Sequence, residues 1–238
     1  FKNLINSADG NYSRYSFFYL QNLIQNGEVD LVKEETSLID PLNSTLLISQ
    51  VKKWIDQSKF QKLDEYFLCK NESDLIAEFF FLISNLYSSE NLFEKSNFYL
   101  NISYFLNPKF YFNLSLLVEN HFIAENYKLS RKILEKMPDK EEIYSWYKTK
   151  KIAQIISKEN SKEQSLNFIE NNFKKIKKPS NKIIYDMANV YKSNKKYYKA
   201  ISYYSLLLSK IDINSEMYPE ILYRRGGSYE RLKAYKKA

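Results

Sequence analysis

Large apolar residues recur along this chain three and four positions apart, almost without interruption, and that spacing predicts helices nearly throughout. A longer rhythm is superposed on it. Phe80, Ile83, Ser84 and Tyr87 are followed by Ser96, Leu100 and Pro108. Then Leu114, Leu117, Val118 and His121 lead to Ser130 and Leu134. Thr149, Ile152, Ala153 and Ile156 lead to Ser165 and Ile169. Ile184, Met187, Ala188 and Tyr191 lead to Ala200 and Tyr204, and Leu222, Arg225, Gly226 and Tyr229 lead to Ala238. One unit therefore reads large, large, small, aromatic, then small, large, and returns every 34 to 38 residues.

The pattern predicts paired helices at about 13–39, 43–68, 74–106, 110–137, 141–176 and 181–211, a further helix from about 217, and another beginning near 234. Polar turn signals separate the partners: Asn26-Gly27, Gln57-Ser58, Ser88 to Asn91, Glu125-Asn126, Lys158 to Asn160 and Ser193-Asn194. Ser161 with Gln164, and Asn91 with Glu94, have the spacing of a capping box at the start of a second helix. The small residues Ser84, Ala153, Ala188 and Gly226 are expected where the two helices of a unit cross, and Ser96, Ser130, Ser165, Ala200 and Ala238 on the second helix at that crossing or the next one. A large side chain there forces the helices apart. Only 4 Gly and 5 Pro occur, too few for the many turns of a sheet protein. Pro41, Pro108, Pro138 and Pro179 fall at expected unit ends, and Pro219 near a first turn.

This spacing resembles the tetratricopeptide repeat, a helix–turn–helix unit of about 34 residues. The resemblance covers 74–238 well and 11–73 loosely, and Leu222 to Leu232 is its most specific stretch. It implies an all-α fold: a right-handed α-solenoid of antiparallel helix pairs. About five recognisable repeats would follow divergent N-terminal hairpins over 1–73, all within a single domain, 1–238. Similar arrangements occur in bacterial proteins of the cytoplasm or the envelope. A chain that opens on Phe1 and closes at Ala238, early in a second helix, is expected to be a fragment whose exposed last repeat either frays or is covered by another copy of the chain.

Chemistry adds little. The lone His121 falls at the aromatic position of its repeat, where packing is expected, and it lies 52 residues from the lone Cys69. Neither a zinc ligand set nor a phosphate-binding glycine loop is present. The expectation is a protein that is not an enzyme and carries no cofactor or metal. Matches to Asn-x-Ser/Thr at Asn11, Asn43, Asn71, Asn101 and Asn113 follow from the abundance of those residues. No apolar run reaches the length of a membrane span.

In the family the first helices line a concave groove, and repeat positions 2, 5, 9 and 12 point into it. The resemblance therefore implies a partner-binding groove that includes Asn85, Phe112, Tyr147, Lys150, Gln154, Tyr185, Asn189, Lys192 and Tyr223. Aromatics mixed with amides suit an extended peptide or a partner protein. A carboxylate clamp of the chaperone-binding kind is excluded, because Asp186 and Glu220 fall where cations or amides would be needed. Charge supplies an alternative. Residues 1–110 hold 10 Lys+Arg and 14 Asp+Glu, whereas 111–238 hold 26 and 14. A basic half could bind nucleic acid or another polyanion through Lys148, Lys150, Lys151, Lys174, Lys175, Lys177, Lys178, Lys195 and Lys196.

Overall fold

The computed structural model describes residues 13–40 and 42–237, so Pro41 and Ala238 lie outside the described residues. Among these the fold is all-α, with thirteen α-helices, a closing 3-10 turn at Tyr235–Lys237, and no strand. The helices are α1 (Ser13–Gln25), α2 (Val29–Ser37), α3 (Leu46–Asp56), α4 (Gln61–Tyr66), α5 (Glu72–Ser89), α6 (Phe93–Leu106), α7 (Phe112–Ile123), α8 (Tyr127–Leu134), α9 (Glu142–Glu159), α10 (Lys162–Phe173), α11 (Asn181–Ser193), α12 (Tyr197–Leu208) and α13 (Met217–Arg231). They follow one another as antiparallel pairs, as in helical-solenoid proteins generally; α5 packs on α6, α7 on α8 and α11 on α12. No described helix is long and apolar enough to cross a membrane. The chain forms two compact units, one from the described residues of Phe1–Thr36 and Thr45–Lys148, the other from those of Ser37–Ser44 and Thr149–Ala238.

The pairing has a residue-level cause. Residues twelve apart, mostly small, fall on the two helices of each hairpin: Ser84 and Ser96, Val118 and Ser130, Ala153 and Ser165, and Ala188 and Ala200. All but Ser165 are buried, and Ala188 and Ala200 are 0% exposed. In two pairs the second residue also bonds to the first: the Ser130 hydroxyl donates to the Val118 carbonyl at 3.1 Å, and that of Ser165 to the Ala153 carbonyl at 2.6 Å. Side chains this short let the backbones approach, and the hydroxyls satisfy their own polarity locally. Beside the crossing, Tyr87 stacks on Tyr99 with ring centroids 5.6 Å apart. In the last helix Gly226 is only half-buried, and Ser228 is the small residue with no exposure.

The turns repeat one solution. Gly27, Ser58, Asn91, Glu125, Lys195 and Lys233 all have φ between 56° and 78°, in the left-handed region. At each, that residue's amide donates three residues back and the next amide donates five residues back, as in Asn91 to Ser88 and Leu92 to Tyr87. This Schellman closure satisfies the orphan carbonyls of the first helix. It also corrects one expectation: Asn91 does not cap α6. Its left-handed backbone ends α5, and the N-cap is Leu92, with no side-chain bond. The α9–α10 turn differs. There Ser161 is extended and its hydroxyl accepts the Gln164 amide at 3.1 Å, so the cap expected from the sequence is present.

Buried amides tie neighbouring pairs together in the first unit. Asn120 has no exposure; its amide donates to Ser96 Oγ at 2.8 Å and Asn97 Oδ1 at 2.9 Å, and its carbonyl accepts from Ser88 Oγ at 2.6 Å. Asn107 Nδ2 donates to the Tyr66 carbonyl at 3.0 Å.

Candidate functional site

In the first unit, positions 2 and 5 of the 74–106 pair are Glu78 and Phe81, and position 2 of the next pair is Phe112. These residues are engaged within the chain, because Arg14 of α1 reaches them. Its Nε donates to Glu78 Oε1 at 2.8 Å, and its terminal nitrogens bond to the other Glu78 oxygen and to Asn113 Oδ1, the latter at 3.2 Å. The guanidinium lies 3.6 Å from the centre of the Phe81 ring and 5.1 and 5.3 Å from those of Phe110 and Phe112. Phe17 of the same helix meets Phe110 at 5.3 Å. Tyr147 is half-buried and its hydroxyl donates to the Ser115 carbonyl at 3.4 Å; Asn85 is exposed. Here the aromatic positions serve internal packing, with an arginine between them. No sequence signal links Arg14 to Glu78 and Asn113, which lie 64 and 99 residues away.

The second unit holds Lys150, Gln154, Tyr185, Asn189, Lys192 and Tyr223. Lys150 and Gln154, with Ser157, line one cavity of about 300 Å³ between α9, α10 and α11; Lys162, Ser193 and Asn194 complete its polar wall. Gln154 is exposed, so its amide is open to a ligand. Tyr185 turns inward, is 9% exposed, and packs against Tyr204 at 6.5 Å. Asn189 Oδ1 accepts from the Tyr204 hydroxyl at 2.6 Å and from Arg224 at 3.3 Å. Tyr223 is 76% exposed.

Two ion pairs run along these first helices. Lys150 bridges to Asp186 at 2.8 Å, and Arg224 to Glu220 at 2.6 Å. The two acids that exclude a carboxylate clamp thus also occupy the cations such a clamp would use. Lys192 is different: among the described residues no carboxylate lies within ion-pair distance of it. Burial pushes its ammonium below the usual lysine range, and the guanidiniums of Arg224 and Arg231 push the same way against Glu220. The missing side chain of Gly227 leaves room beside it; a Cβ there would lie 3.8 Å from Lys192 Nζ. An ammonium with no carboxylate at ion-pair distance is open to one from a ligand, which would add a charge-assisted hydrogen bond.

The basic reading is weakened at three of its nine lysines. Lys148 bonds to Asp139 and to the Met137 carbonyl, Lys150 bridges to Asp186, and Lys151 is buried. Lys174, Lys175, Lys177, Lys178, Lys195 and Lys196 are exposed. His121 is half-buried, and burial lowers its imidazole pKa. Among the described residues no three His, Cys, Asp or Glu side chains converge to hold a metal. No protein-family model matches this chain, and no curated protein matches it significantly.

Proposed function

We propose that this chain is a non-enzymatic interaction scaffold of the tetratricopeptide type, and that the α9–α11 face of its second unit holds an extended peptide. Repeated pairwise helix packing is compatible with such a role. The observation that carries the reading is the cavity lined by Lys150, Gln154 and Ser157, three residues at repeat positions 5, 9 and 12 of one hairpin. Its exposed amide can bond to a peptide backbone, as in other modes of extended-peptide capture. Lys192 supplies a site for a carboxylate side chain, and Tyr223 an exposed ring. Asn189 and Tyr185 support that face from behind, through Tyr204 and Arg224.

The test is to pan a library of random twelve-residue peptides on the whole chain. Enriched peptides should bind with an affinity that falls at least tenfold in Gln154→Ala/Lys192→Glu, with helicity unchanged. Recovery of no peptide, or equal binding to the variant, rejects the groove. Self-association through the exposed side of α13 belongs to the same proposal; light scattering over a concentration series reads it directly.

A further inference from the structure

A second cleft, of about 560 Å³, lies in the second unit between α10 and α12. We propose that it receives a bulky apolar side chain from an acidic segment of a partner protein. Its floor is apolar: Ile176, Pro179 and Ile184 line it, with Leu206 of α12 exposed above them. Phe173 and Tyr203 close one side, their ring centres 5.7 Å apart. A cleft of this lining gains from burying an apolar group, because doing so takes apolar surface out of water.

The electrostatics select the flanking residues. Among the described residues Glu170 is the one carboxylate lining the cleft, and its charge is matched by Lys199 Nζ at 2.7 Å. Burial alone would raise that carboxyl, yet hydrogen bonds from Lys199 and Tyr191 hold it below the usual range, so it remains ionised and paired. Lys174 and Lys210 also line the cleft, both exposed, and among the described residues neither has an ion pair. Exposed Lys175, Lys177 and Lys178 follow on the same connection. Lys174 adds to the field that holds Glu170 ionised, and Lys210 carries its charge at the same rim; exposed cations above an apolar floor complement carboxylates placed beside an apolar anchor. Nucleic acid fits less well. Phe173 and Tyr203 meet at 62° and Tyr191 and Tyr203 at 45°, so the rings pack on one another instead of presenting parallel faces to successive bases.

The probe is a fluorescein-labelled hexapeptide, Asp-Asp-Phe-Asp-Asp-Leu, titrated by anisotropy onto the whole chain at low salt. Binding is expected to weaken at least tenfold when Phe and Leu are replaced by Ala, and to vanish when the four Asp become Lys. Lys174→Glu/Lys210→Glu should lose at least tenfold, and so should Leu206→Asp, a change at an exposed position. The matched reversal Lys128→Glu/Lys132→Glu, on exposed α8 positions of the first unit, should leave binding within twofold. Absence of binding overturns the proposal, as does equal affinity for the Ala peptide or an equal loss in the α8 variant. So does an oligothymidylate of equal charge that binds more tightly through the same residues.

Discussion

Arg14→Met isolates one of the contacts by which α1 engages the rest of the first unit. In the folded chain the Arg14 and Glu78 side chains keep 15% and 13% of their exposure. The substitution leaves the Glu78 carboxylate largely desolvated without its cation. It also removes the donor to Asn113 Oδ1, on a residue 2% exposed. Breaking a fully buried ion pair from one side costs about 3–5 kcal/mol, and an orphaned buried acceptor about 1–3 kcal/mol. Residual solvent access at Glu78 reduces the first figure, and methionine keeps part of the contact with Phe81. A loss of about 2–4 kcal/mol is therefore expected. In urea, followed by circular dichroism at 222 nm, this corresponds to a midpoint lowered by about 1 M for a slope near 2–3 kcal/mol/M. Glu78→Gln in the Arg14→Met background should recover part of the loss, because a neutral amide costs less to bury than an unpaired carboxylate. Arg14→Lys should not restore the wild-type midpoint, since one ammonium cannot reproduce the forked contact to Glu78 and Asn113. An Arg14→Met midpoint within about 0.2 M of wild type would refute the reasoning, because it would mean that the caged guanidinium holds nothing.

Three further outcomes follow from the packing. Ala188→Leu, at a crossing with no exposure, should destabilise by about 1–3 kcal/mol through overpacking, read as a lower urea midpoint; an unchanged midpoint would show the crossing to be slack. Glu125→Gly and Lys195→Gly should each stabilise by up to about 1 kcal/mol, since glycine adopts the left-handed turn without a Cβ penalty; a loss on thermal melting would contradict the turn geometry. Burial lifts the phenols of Tyr66, Tyr144, Tyr147 and Tyr191, with nearby charges adding to it, and lifts that of Tyr204 to about 12. Their folded pKa values exceed the unfolded value near 10, so the stability they contribute is complete below pH 10 and is lost as pH rises above it, for Tyr204 through about 12. Tyrosinate absorbance at 295 nm should therefore show a late phase that coincides with loss of helicity, and a single ordinary phase would oppose this.

The helix pairs were legible in the sequence because apolar periodicity and small residues twelve apart both report local geometry. The pair expected over 74–106 is α5 and α6, Glu72–Ser89 and Phe93–Leu106. The turns were legible only as to place. The left-handed residue is Glu125 in one and Lys195 in another, neither of which signals positive φ, because the Schellman bonds impose the conformation whatever the side chain. The candidate site was partly legible. Repeat position placed Lys150 and Gln154 on one cavity wall, but the inward turn of Tyr185 depends on its contact with Tyr204 in the next helix. The occupation of Phe81 and Phe112 by Arg14 is tertiary and nonlocal, and no spacing rule encodes it.

The proposed peptide-binding face is tested most directly by photo-cross-linking at two exposed positions of the second unit. Benzoylphenylalanine in place of Ser193, on the α9–α11 cavity, should capture a panned peptide covalently. The same group in place of Tyr198, exposed on α12, should not. Capture at 198 with none at 193 would contradict the account.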